Sequence, residues 1–125
     1  YCNTHYADFI DELHVLDGAV QVVEQLSDMF HGKVAIVTNC PAPITTLILR
    51  VSGLDRFIKI ALSGKCRAGA CCGLSSRLLD SKPAPDTLLH ATHLMNVNIR
   101  NCIMVGDSRF DVQAAHAAGA LSIGI

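Results

Sequence analysis

A chain of 125 residues, 50% hydrophobic and 17% charged, can bury one core, which excludes disordered, collagen-like and coiled-coil proteins. Ten Lys and Arg against eleven Asp and Glu leave a formal charge of -1, too balanced to neutralise a run of nucleic-acid phosphates. No apolar run nears the roughly 20 residues that cross a bilayer and no leader opens the chain, so a cytoplasmic protein without nucleic-acid or membrane partners is expected. Because the first residue is Tyr1 and not Met, an N-terminal targeting signal stays open.

In chain order, Val20, Val23, Leu26 and Phe30 recur at helical spacing and predict an amphipathic helix over 19–30, stopped by Gly32. Val34 to Val37 is apolar without alternation, as in a parallel strand covered on both faces. Pro41 and Pro43 suit the first turn of a helix running to about Val51, with Gly53 past its end. Ile58 to Leu62 reads as the second strand. Residues 63–82, with Gly64, Gly69 and Gly73 among Ser and Cys, read as a loop with one turn near 74–79. Pro85 and Asp86 open a helix carrying Leu88, Ala91 and Met95 inward, and Cys102 to Val105 is the third strand. The helix over 109–118 has small side chains, Ala114, Ala115, Ala117 and Ala118, before Gly119, and Leu121 to Ile125 is a fourth strand. Alternation of strand and helix with short connections predicts an α/β fold with a Rossmann-like three-layer parallel sheet.

Six cysteines show no CxxC pair, which argues for a reduced compartment and against structural disulfides. Cys66, Cys71 and Cys72 are read as loop thiols, not a zinc site. His90, His93 and His116 are read as partly exposed helix residues, and Cys40 as an inert thiol.

In parallel sheets, ligands bind beyond the carboxyl ends of the strands. Three groups fall on that edge: Thr38-Asn39 after the first strand, Lys82-Pro83 before the third helix, and Gly106-Asp107-Ser108 with Asp111 after the third strand. They combine a hydroxyl and backbone amides, a fixed cation, and two carboxylates about one helical turn apart. Lys and Thr suit phosphate oxygens and carboxylates suit Mg²⁺, so phosphate plus Mg²⁺ is the implied cargo.

Ile36-Val-Thr-Asn39, Ser81-Lys-Pro-Ala-Pro-Asp86 and Val105-Gly-Asp-Ser-Arg-Phe-Asp111, followed by Val112 to Gly119, resemble in order the second, third and fourth motifs of the haloacid dehalogenase superfamily. The likeness is strongest to its phosphoglycolate-phosphatase-like members and runs from about Leu16 to Ile125. It implies that Thr38, with the backbone around Asn39, and Lys82 bind phosphate, and that Thr38 and Lys82 serve catalysis. It also implies Asp107 as a direct Mg²⁺ ligand and Asp111 as the second acid of the metal motif. The implied reaction is hydrolysis of a small phosphorylated metabolite through an aspartyl-phosphate, by a monomer or homodimer.

The superfamily's nucleophilic Asp-x-Asp is absent, and Asp8-Phe-Ile-Asp11 has the wrong spacing. Residues 1–16 therefore resemble the last helix and return linker of an inserted cap domain, and residues 17–125 a partial hydrolase core. The family's sheet order would put the missing strand between the strands at 34–37 and 102–105, leaving an open slot or a direct pairing of those two. The 63–82 loop, with Lys65, Arg67 and Arg77, is read as a surface insertion, with a substrate-facing role as the alternative. A phosphomutase of the same superfamily, and a catalytically silent phosphate- and Mg²⁺-binding or interaction domain, are the competing functions.

Overall fold

The computed structural model describes residues 13–64 and 79–125. Its elements are α1 (Ala19–Met29), β1 (Ala35–Thr38), α2 (Ala42–Ser52), β2 (Ile60–Ser63), α3 (Asp86–Leu94), β3 (Ile103–Gly106), α4 (Arg109–Ala118) and β4 (Leu121–Gly124). Single 3₁₀ turns lie at Leu54–Arg56 and Ile99–Asn101. Pro41 and Pro43 open α2, where backbone N–H groups lack intrahelical acceptors and a proline costs none. Gly53 and Gly119 close α2 and α4 at φ of 72° and 85°, a left-handed conformation in which a side chain would be strained.

All strand pairing is parallel. β1 pairs with β2, from Ala35 opposite Ile60 to Thr38 opposite Ser63. β3 pairs with β4, from Ile103 opposite Leu121 to Gly106 opposite Gly124. Among the described residues no ladder joins the two pairs, so β1 and β3 are not direct partners. Both lie against one core: Val37 of β1 and Met104 of β3 pack on the cluster of Leu88, Ala114 and Ala115. Both alanines are fully buried, which is how α4 comes so close to the strands.

β1, β2 and β3 begin and end one or two residues later than the apolar runs suggest, and in the first pair the ladder takes in the polar ends Thr38 and Ser63. Phe30 is exposed and not on a buried face, and no residue of α1 is fully buried. Met95 is only half-buried, whereas Thr87 and Thr92 join Leu88 and Ala91 on the inner face of α3. Residues 13–18 form neither helix nor strand. Residues 1–12 of the cap helix expected over Tyr1 to Leu13, and the loop expectations for 65–78, including Lys65, Arg67, Arg77, Cys66, Cys71 and Cys72, lie outside the described residues. Among the described residues no helix is long and apolar enough to cross a membrane.

Candidate active site

Thr38 ends β1, and its Oγ1 accepts a hydrogen bond from Cys40 N at 3.0 Å. That contact folds the chain out of the strand and leaves the hydroxyl hydrogen without an acceptor among the described residues. The following carbonyl, of Cys40, accepts from buried Ser63 Oγ and, at 3.3 Å, from buried Thr45 Oγ1. The turn is thereby tied to β2 and to α2. Gly64 N also donates to Thr38 O at 3.1 Å. Thr38 thus sits on a fixed backbone with one free donor at the strand-end edge.

Lys82 precedes α3 and forms a cis peptide with Pro83. Its main chain meets Asn39 twice, with Lys82 N donating to Asn39 Oδ1 at 2.9 Å and Asn39 Nδ2 donating to Lys82 O at 3.0 Å. Its side chain runs inward, where Nζ donates to Val37 O at 2.8 Å and ion-pairs with Asp111 Oδ1. An ammonium has three donors, so one remains. The two side chains are 10% and 7% exposed, little enough that water screens their attraction weakly.

Asp111 is fully committed. Its Oδ2 accepts from Ser108 N at 3.1 Å and Ser108 Oγ at 2.8 Å, while Ser108 Oγ receives Asp111 N at 3.3 Å. This capping box fixes the first turn of α4. Burial pushes the Asp111 carboxyl up, but hydrogen bonds from Lys82 and from Ser108, together with the lysine charge, outweigh it and hold the group below the usual carboxylate range. Gly106 makes room for it, since a methyl group there would collide with the Asp111 side chain.

Asp107 differs. It lies one residue past β3, is exposed, and has no hydrogen-bond or ionic partner among the described residues. A carboxylate with unclaimed oxygens is a suitable ligand for a hard cation. No group of three or more His, Cys, Asp or Glu that could hold a metal occurs among the described residues. A cation here would draw on Asp107 and complete its shell from water and phosphate oxygens, which is how Mg²⁺ is commonly held.

An open cleft of about 470 Å³ adjoins this edge, lined by Asn39, Pro41, Ala42, Pro43, Ser63, Gly64 and Ser81. The strand ends therefore bring Asn39, Lys82 and Asp111 into one hydrogen-bonded system, with Thr38 next to Asn39 in the chain and Asp107 just past β3. His90, His93 and His116 stay apart from it on the surfaces of α3 and α4. Burial pushes the Cys102 thiol up, which makes it a poor nucleophile. Gly106 and Ser108 belong to the edge group expected from the sequence, but the roles seen here were not expected of them. Ser108 was findable, because Ser-x-x-Asp before a helix is a capping-box spacing. The steric need at Gly106 and the reach of the Asn39 amide to Lys82 leave no local signal.

A family model described as haloacid dehalogenase-like hydrolase matches residues 2–119. A phosphoglycolate phosphatase of Neisseria meningitidis is 34% identical over 91 residues, which cover 73% of this chain and 34% of that protein. The plasmid-borne phosphoglycolate phosphatase of Cupriavidus necator is 32% identical over 115 residues, 92% of this chain and 45% of that one. A predicted phosphoglycolate phosphatase from Haemophilus somnus has a crystal structure that superposes with a TM-score of 0.76 at 25% identity, covering 96% of this chain and 48% of the other. The chain thus spans less than half the length of each of these three proteins.

Proposed function

The chain belongs to the haloacid dehalogenase-like hydrolases, and from that premise we propose that it forms the phosphate- and metal-binding part of a Mg²⁺-dependent phosphomonoester hydrolase. The substrate is a small phosphorylated metabolite, and phosphoglycolate is the first to test because both relatives are phosphoglycolate phosphatases. The observation that carries the reading is the state of the donors at the strand ends. Lys82 Nζ is held between Val37 O and Asp111 with one donor free, and the next residue of β1, Thr38, carries a hydroxyl whose hydrogen has no acceptor among the described residues. Two preset donors facing one edge are what a transferring phosphoryl group requires.

In this reading Thr38 Oγ1 and Lys82 Nζ hold the phosphoryl oxygens, and Lys82 offsets their charge through the transition state. Asp111 acts from behind, fixing Lys82 and the first turn of α4. Asp107 holds Mg²⁺, which when bound neutralises charge between an attacking carboxylate and the phosphate. The phosphoryl group passes to a carboxylate and then to water. The sequence contains no Asp-x-Asp, so the reading takes the nucleophile and its acid/base partner from outside the 125 residues.

The test is to assay the complete gene product against phosphoglycolate, para-nitrophenyl phosphate and a panel of small phosphomonoesters, with Mg²⁺ and after chelation. Phosphate release that needs the metal is expected, and Asp107→Asn should lower kcat by at least about 10² with the fold intact. Near wild-type turnover by that variant would remove Asp107 from the metal site. Binding of phosphate and Mg²⁺ by a folded protein that turns over none of the esters would leave the silent binding module in its place.

A further inference from the structure

Asn39 spends both polar atoms of its side chain on the main chain of a single distant residue. Its carboxamide supplies an acceptor to Lys82 N at 2.9 Å and a donor to Lys82 O at 3.0 Å. A single side chain thus satisfies both backbone groups of one residue 43 positions away. Only an amide offers a donor and an acceptor at that spacing; a carboxylate has no donor, and a hydroxyl cannot span both groups. Gln would carry the same pair one methylene too far.

The neighbouring contact works in the same direction. A methyl group at Gly64 would collide with Ser81, so the segment leading into Lys82 runs directly against the end of β2. The main chain of Lys82 is therefore located from β1 through Asn39 and from β2 through Gly64. The far end of its side chain is located by Val37 O and Asp111. Fixing both ends of a long flexible side chain matters, because a Lys otherwise loses much rotamer freedom in any contact it makes.

We propose that Asn39 is a positioning residue for Lys82, acting through the lysine's main chain and not through contact of its amide with substrate. The proposal rests on the assignment of Lys82 to the phosphoryl group made above. A phosphate ligand would meet the Asn39 backbone, which substitution leaves in place.

In the complete gene product, kcat, KM and the inhibition constant of inorganic phosphate are measured with para-nitrophenyl phosphate for wild type, Asn39→Ala, Asn39→Asp, Lys82→Arg, Lys82→Met and Asn39→Ala/Lys82→Arg. Circular dichroism confirms that each variant is folded. Asn39→Ala should lower kcat about 10- to 100-fold, as a misplaced catalytic group does, with KM and phosphate inhibition within about 3-fold of wild type. Asn39→Asp, which keeps the acceptor but turns an oxygen toward Lys82 O, should fall as far and controls for shape. Lys82→Arg keeps the charge and abandons the position, so adding Asn39→Ala to it should cost less than about 2-fold. Independent losses in the double variant, or a raised KM and weakened phosphate inhibition with kcat preserved, would overturn the proposal. A fully active Lys82→Met variant would instead overturn the role of Lys82 itself, a result distinguishable from failure at Asn39 alone.

Discussion

The two strand pairs are built from similar sequence yet meet solvent differently. At the end of β2, Leu62 is 2% and Ser63 4% exposed, and successive strand residues point to opposite faces, so this pair is covered on both sides. In β3, Ile103 and Val105 are about half-exposed while Met104 between them packs on the core, so only one face is covered, by α4. β4 is exposed throughout. Parallel strands are normally buried on both faces, and the first pair has within the described residues what the second has by half. Among the described residues no strand ladder runs between the pairs, and one ammonium, Lys82 Nζ, links them by bonding both Val37 O and Asp111. The candidate site is thus set by side-chain contacts across the gap between two sheets, not by backbone pairing.

The largest effect separates the two halves directly. Leu62→Ala should destabilise by about 3 kcal/mol, since a fully buried leucine leaves a cavity that β1, α2 and α3 cannot close. Chemical denaturation measures it, and a loss under about 1 kcal/mol would mean that the first pair is no better packed than the second.

Gly106→Ala tests the gap. Its methyl group would collide with Asp111 and push the carboxylate from Lys82, at a cost of about 2 kcal/mol, typical of overpacking. Unlike Leu62→Ala, it should also lower turnover in the still-folded complete gene product. Full activity with lost stability would show that the position of Asp111 does not govern Lys82.

Asp111→Asn sharpens the same point through pH. In the variant Oδ1 can still accept from Lys82, but an amide hydrogen replaces the acceptor for Ser108 N and Oγ, and the lysine loses its counter-charge. A loss of about 1–3 kcal/mol at neutral pH is expected. The folded carboxyl lies below its unfolded value, so the wild-type advantage is complete above about pH 4 and is lost as pH falls through the folded value. Denaturation curves from pH 7 to pH 2 should show the two proteins converging only at the acid end. Convergence above pH 5 would assign the effect to another group.

What could be read from the sequence divides along the line between local and distant interactions. The apolar runs, the prolines opening α2 and the glycines closing α2 and α4 act within a few residues, and every described α-helix and strand lies within two residues of its expected bounds, while the two 3₁₀ turns were not expected. Thr38, Asn39, Lys82, Asp107 and Asp111 were recognisable because they follow strands or precede helices in a fixed order. Which of their donors and acceptors are already spent inside the fold was not. Asp111 and Asp107 look alike as letters, and only burial and Ser108 show that one is committed and the other free. Asn39 read as part of the phosphate edge, while its amide is spent on a residue 43 positions away. The exposure of Phe30 escaped for the same reason, since periodicity defines a face of α1 but not what lies against it.

The smallest effect concerns the uncovered face. Val105→Thr keeps shape and adds a hydroxyl, which costs about 1–3 kcal/mol where it is buried without a partner and little where water reaches it. Val105 is 52% exposed and shares its face with Ile103, across from Leu121 and Ile123 of β4. In the 125-residue chain the substitution should therefore shift stability by less than about 0.5 kcal/mol. The same substitution in the complete gene product asks whether anything covers that face there. An equal, small shift would leave β3 and β4 open to solvent in both. A shift above about 1 kcal/mol only in the complete gene product would show the second pair covered on both sides like the first, and the difference between the halves would then belong to the chain and not to the whole protein.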